Sequence, residues 1–332
     1  MPEPLFYIGS LCVTWFAVAV FAGVSLAAAL FLYLVRKNHK PLDTALEILP
    51  LSLFLGILLA HVLYVITKLI SNLEIYDDLA GFLLNPGAGG FMFLGVFAGV
   101  SLACVIMGLI RHGSAGAWLR LMTPAVFLAL AAVRFAEPLD GLGKGPGVTA
   151  SFFPLSFAPE PDYPEDQYIP AFFYAGLYAL ALCGWSFHEA AKKSGKQRSP
   201  LFFFVLYLAG QIFYEIFRRD AYANDTSIIT FVRLGQLYAA VLLGVILVYG
   251  ILKTGKAFQP SAIIVRCAVF AVSVGACIGL QFLFDKPMPF FGQTVWFADW
   301  LVYLLLLLTS IGMGWAVLSF VRKIPAHSSK EV

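Results

Sequence analysis

Long, nearly unbroken apolar runs dominate this chain and leave it few ways to fold. They lie at roughly 6–35, 47–71, 89–110, 117–136, 170–190, 200–217, 229–252, 261–284 and 296–321. A helix needs about 20 apolar residues to cross the hydrocarbon core of a bilayer. Within that core each backbone amide and carbonyl must find a partner inside the protein, so only helices and closed barrels can span it. Barrel strands alternate apolar and polar residues, and these runs do not. The sequence therefore predicts an all-α, polytopic integral membrane protein of about nine transmembrane helices. With 60% hydrophobic and 12% charged residues, the 332-residue chain could not cover such a core with polar surface in water. The first run lacks a basic leader and a small-residue cleavage site, so it reads as a retained helix. No nucleic-acid partner, cofactor or metal site is indicated. The five cysteines lie inside apolar runs without paired spacing, as small buried hydrophobes do.

The loops orient the bundle. Alternate loops and ends carry Arg36, Lys37, Lys40, Arg111, Arg120, Lys192, Lys193, Lys196, Arg198, Lys253, Lys256, Arg266, Arg322, Lys323 and Lys330. That is 15 of the 22 basic residues against four of the 19 acids, a net charge of +11. The other face holds the remaining seven bases and 15 acids, a net charge of −8. Basic loops stay in the cytoplasm. Nine spans then place the N-terminus outside and the C-terminus inside, in the bacterial cytoplasmic membrane. The longest outer segment, 137–169, is rich in proline and acid, including Glu160, Asp162, Glu165 and Asp166. It reads either as a cap over a lipid-fed cavity or as a solvated loop.

Two arginine clusters break the charge rule. Arg134 with Glu137 and Asp140 closes the fourth span, and Glu215 with Arg218, Arg219 and Asp220 closes the sixth. Ionisable groups at membrane depth are costly and mark functional sites. The planar guanidinium fork suits phosphate, so an anionic head group is one reading. An internal salt-bridge network joining helices is the other. Glu215 and Arg218, three residues apart, would share a helix face. His61, deep in the second span, is either a general base or a hydrogen-bonded packing residue.

Several stretches then occur in a telling order. They are Arg134-Phe135-Ala136-Glu137-Pro138-Leu139-Asp140-Gly141-Leu142-Gly143-Lys144-Gly145, Pro170 with Tyr174, Gln211 with Glu215 and Arg218, and Gly235-Gln236. Over residues 8–252 this order resembles that of prolipoprotein diacylglyceryl transferases, whose signature keeps an arginine at the position of Arg134 and a glycine at that of Gly145. The chain departs from the family where chemistry is concentrated. Glu137 and Asp140 replace asparagines, Leu142 replaces a glutamate, Gln211 and His61 replace arginines, and Leu94 stands where the family has a histidine. An early Trp-Tyr-Gly becomes Trp15-Phe16-Ala17.

The resemblance implies a seven-helix transferase-like domain over 1–255, with two additional helices and a short cytoplasmic tail over 256–332. It implies transfer of a diacylglyceryl group from phosphatidylglycerol to the cysteine thiol of a preprolipoprotein. On that reading Arg134 and Arg218, with Arg219, Gln211 and Asp140, hold the phosphate head group. Gln236 and Tyr174 donate hydrogen bonds to it. Glu215 orients Arg218, and Glu137 or His61 supplies the base. The alternatives are an inactive homologue that binds an anionic lipid or an exported partner, a same-fold enzyme with another acceptor, and, less favoured by the clustering at one membrane edge, a transporter.

Overall fold

The computed structural model describes residues 5–8, 11–71, 90–111, 113–149, 152–158, 166–192, 197–219, 227–229, 232–285, 288–290, 293–295 and 299–324. Asp220 and most of the acidic run before Asp166 lie outside them. Nine long helices stand among the described residues. They are α1 (Trp15–Lys37), α2 (Leu42–Ser71), α3 (Phe93–Ile110), α4 (Ala115–Ala136), α5 (Ala171–Ala191), α6 (Pro200–Phe217), α7 (Leu234–Thr254), α8 (Pro260–Asp285) and α9 (Asp299–Val321). The chain is thus an all-α polytopic membrane protein, and eight of the nine are apolar enough over 18 residues or more to cross a bilayer. The exception is α5, diluted by Tyr174, Tyr178, Trp185, His188 and Glu189, yet its 21 residues give it spanning length.

The first span differs from expectation. Helix α1 begins at Trp15, and the apolar residues before it form a hairpin, β1 (Phe6–Ile8) with β2 (Leu11–Val13). The Thr14 hydroxyl accepts from the Ala17 amide to cap the helix. Three more hairpins punctuate the chain: β3 (Lys144–Gly147) with β4 (Tyr168–Pro170), β5 (Ser227–Ile229) with β6 (Val232–Arg233), and β7 (Met288–Phe290) with β8 (Gln293–Val295). They stand between α4 and α5, α6 and α7, and α8 and α9. A hydropathy reading alone does not separate such short paired strands from the helix beside them.

By packing, the chain divides into two units. The first comprises residues 1–200 with 218–222 and 326–332, and the second 201–217 with 223–325. In the first unit α4 packs against α1, α3 and α5. Its core holds Phe31, Leu34, Ile48, Cys104, Trp118 and Leu121. Asn38 donates to the carbonyls of Leu34 and Ala190, which ties the end of α1 to α5. Helices α2 and α3 meet backbone to backbone: a β-carbon on Gly95 would lie 2.4 Å from the Ala60 Cα, and one on Gly99 2.3 Å from the Leu55 carbonyl oxygen. Without water to drive association, such close approach through small residues is how helices gain contact in lipid. In the second unit α9 packs on α7 and α8, and Gly314 faces Ala209 of α6. Outward faces carry Phe21, Phe54, Leu109, Leu252 and Val272, the side chains a lipid solvent favours.

Candidate functional site

Helix α4 does not simply stop. At Ala136 it tightens into a 3₁₀ turn, Glu137–Asp140, with Pro138 placed where no helical N–H is lost. Gly141 and Gly143 then take left-handed backbone angles, φ 69° and 79°. The Leu142 amide donates to the Glu137 carbonyl at 2.9 Å, and the Phe172 amide donates to the Gly143 carbonyl at 3.1 Å. These bonds fold the exit of α4 against the entrance of α5. They also press the backbone onto Glu137, since a β-carbon on Gly143 would lie 3.0 Å from its Oε2.

The folded exit brings two predicted residues together. Arg134 Nη1 donates to Glu137 Oε1 at 2.5 Å, and both residues are buried, 7% and 5% exposed. Two charges removed from water need this closeness, because separation would leave each uncompensated in a low dielectric. Asp140 is half-buried at the end of the same turn. Beyond α6 the chain returns to this region: the Arg219 amide donates to the Lys144 carbonyl at 2.8 Å. That bond brings the Arg218–Arg219 backbone to the strand leaving the Arg134 turn. Arg218 is buried and Arg219 exposed. Helix α6 ends at Phe217, so Arg218 directly follows its last residue. The Lys144 ammonium lies 5.6 Å from the Tyr168 ring centroid.

Tyr174 lies on the first turn of α5, and its hydroxyl donates to the Pro154 carbonyl at 3.0 Å. It tethers part of the 137–169 segment, which also pairs Phe157 with Tyr168. His61 belongs to a different seam, that of α2 with α3. It is buried, its ring centroid 5.8 Å from that of Phe91. The Met92 amide donates to the Ala60 carbonyl beside it, and Leu94 is buried in the same seam.

In the second unit, Gln211, Glu215, Arg233 and Gln236 form a buried polar set. Gln211 Nε2 donates to Glu215 Oε1 at 2.5 Å, and the Arg233 guanidinium donates to the Glu215 carbonyl. Gln236 Oε1 accepts from the Arg233 amide at 3.3 Å, while its Nε2 donates to the Ile212 carbonyl at 3.2 Å. Gly235 makes room for the Glu215 side chain, with a β-carbon there 3.1 Å from its Cδ. Arg233, an arginine the sequence already places on the outer face, is the fourth member. Its signal is its place as N-cap of α7, three residues before a glutamine that reaches back.

The chain is similar to known proteins. A family model described as prolipoprotein diacylglyceryl transferase matches residues 3–252. Two relatives named phosphatidylglycerol–prolipoprotein diacylglyceryl transferase, from Listeria monocytogenes serovar 1/2a and serotype 4b, are each 24% identical over 223 residues. Each alignment covers 64% of this chain and 78% of the relative.

Proposed function

The chain belongs to the prolipoprotein diacylglyceryl transferase family of bacterial inner-membrane proteins, and on that premise we propose that it moves a diacylglyceryl group from phosphatidylglycerol to the cysteine thiol of a preprolipoprotein. In this reaction the thiol sulfur attacks the glycerol carbon that bears the phosphate. A carbon–sulfur bond forms, the carbon–oxygen bond breaks, and glycerol phosphate leaves with the bonding pair. Two things must be supplied: acceptance of the thiol proton, because the thiolate is the nucleophile, and cationic support for the departing phosphate.

The first unit offers both kinds of group. The observation that carries the reading is the buried Arg134–Glu137 pair at the exit of α4. Arg134 and Arg218 are assigned the phosphate, with Arg219 and Lys144 beside the same strand. Phosphate entering the Arg134 fork takes over the hydrogen bond now made by Glu137. The released carboxylate accepts the thiol proton, with His61 the other candidate. Asp140 and Tyr174 border this turn and its loop. Glu215, Gln211 and Gln236 act as positioning residues that fix the junction of α6 with α7.

The topology assigned with this reading puts the N-terminus outside and the C-terminus in the cytoplasm. It rests on the +11 and −8 division of loop charge. Chain order supports it, because the described hairpins fall before α1 and between α4 and α5, α6 and α7, and α8 and α9, all turn-arounds of the same parity. The transferase-like domain is assigned to 1–255, with α8 and α9 as an addition.

The test is transfer in liposomes of phosphatidylglycerol with a lipobox peptide. The full chain should attach diacylglyceryl to the peptide cysteine. Arg134→Gln should abolish transfer and phosphatidylglycerol binding at the α4 exit, whereas Glu137→Gln should keep that binding and lose transfer. Absence of product from folded protein would remove the activity. A second reading, lipid binding without catalysis, is favoured by Leu94 at the family's histidine position. It predicts binding lost in Arg134→Gln and no transfer by any variant.

A further inference from the structure

The second unit carries a cation cluster that the transferase reading does not use. It lies where α7 ends, α8 begins and α9 ends, largely beyond residue 252, where the family match stops. Lys253, Lys256, Arg266, Arg322 and Lys323 fall within residues 250–270 and 315–324, and these two segments contain no acid. All but Arg266 are exposed. The cluster is organised on rings. Phe258 and Phe320 pack with centroids 4.8 Å apart. The Arg266 guanidinium lies 4.7 Å from Phe258, 5.7 Å from Phe320 and 5.9 Å from Trp315. The Lys323 ammonium lies 3.8 Å from the Phe258 centroid and donates to the Ala257 carbonyl at 3.3 Å.

Arg266 is poorly neutralised for a half-buried cation. Its Nη1 donates to the Ala262 carbonyl of its own helix, while its buried Nε has no hydrogen-bond partner among the described residues. Ring faces attract a cation without neutralising it. Trp315, half-exposed one to two turns before the end of α9, is a residue type that settles at the level of lipid head groups. Basic pockets between helix ends at that level take lipid phosphate.

We infer that the ends of α7 and α9 and the start of α8 form a seat for the phosphate of an anionic phospholipid, with Arg266 and Lys323 as its ligands and Trp315 against the upper acyl chains. The seat holds lipid as a structural partner of the added helices. It does not depend on the transferase reading, and loss of transfer would leave it standing.

The test uses the full chain in nanodiscs with photoreactive phosphatidylglycerol, the labelled peptides being mapped by mass spectrometry, and photoreactive phosphatidylcholine in parallel. Phosphatidylglycerol should label 253–266 and 315–323 well above phosphatidylcholine. Arg266→Gln with Lys323→Gln should lower that labelling about 30-fold, as loss of two interfacial cations implies. Arg36→Gln with Lys37→Gln should leave it unchanged. If the first pair does not assemble, the exposed pair Lys256→Gln and Lys323→Gln replaces it with a fall of the same order expected. Equal labelling by the two lipids would overturn the proposal, as would an equal fall in the Arg36 and Lys37 control. Full displacement by millimolar inorganic phosphate would overturn the lipid assignment in favour of a free-anion site.

Discussion

Gly141 and Gly143 allow the arginine turn to be tested by two alanines that differ in one respect. Both have left-handed φ, 69° and 79°. Alanine there costs about 1–2 kcal/mol at either position through the clash of Cβ with the following carbonyl. Beyond that the sites diverge. A β-carbon on Gly141 meets nothing within 4 Å, whereas one on Gly143 would lie 2.6 Å from the Phe172 Cβ and 3.0 Å from Glu137 Oε2. The first distance is about 1 Å inside ordinary carbon contact. Phe172 is fixed through its own amide bond to the Gly143 carbonyl, so relief must come from moving the turn. Overpacking of this kind adds about 1–3 kcal/mol. Gly141→Ala should therefore cost about 1–2 kcal/mol and Gly143→Ala about 2–5 kcal/mol. Reversible unfolding in mixed micelles measures both, and diacylglyceryl transfer should fall only for Gly143→Ala, the change that displaces Glu137. If the two alanines agree within about 0.5 kcal/mol, the claim that packing of this turn sets the Arg134–Glu137 geometry is wrong.

Arg134→Gln and Glu137→Gln should each destabilise by about 3–5 kcal/mol, by leaving the partner charge buried alone; the double variant, unfolded in the same micelles, should recover most of that, and simple additivity would show the pair is uncoupled. Glu215→Gln keeps the side-chain shape beside Gly235 but makes the bond from Gln211 neutral, so stability should fall by about 1–1.5 kcal/mol, the difference between a charged and a neutral bond, in the same assay. Gly95→Val would drive a branched side chain into the α2 backbone 2.4 Å away; the folded yield after detergent extraction should collapse, while Gly184→Val, facing open space, should be tolerated.

The helical part of the fold was legible because a bilayer admits few alternatives: long apolar runs forecast the nine helices, and Pro124 sits within α4 without ending it. The hairpins were not legible in the same terms. Phe6 to Val13 is apolar enough to read as the start of α1, and what sets it apart is local, the strand pairing and the Thr14 cap. At the candidate site, the Arg134 and Glu137 pairing follows from three-residue spacing at a helix exit, where the 3₁₀ turn still brings them together. At Glu215 and Arg218 the same spacing crosses the end of helix α6 at Phe217. Hydrophobicity carries no mark of where a helix end unwinds when arginine follows directly. The Arg233 bond to the Glu215 carbonyl joins residues 18 apart across a hairpin, a contact that no periodicity encodes.

The acid at position 137 bears on what the arginine can do. An arginine meant only to hold phosphate is best left with neutral neighbours, since a carboxylate already in its fork must be displaced before the ligand can bind. A helix-gluing arginine gains from such a carboxylate. Arg134 has one, yet the pair is set at a glycine-dependent exit rather than along the packed length of α4. On the proposed reading, exchange of carboxylate for phosphate in one guanidinium fork would link the two demands of the reaction. Arrival of the head group would free the group that takes the thiol proton, so the base would be released only when there is a substrate to attack. In such an arrangement an acid replacing the family's asparagine is compatible with retained catalysis, whereas a hydrophobic residue there would have left neither pair nor base.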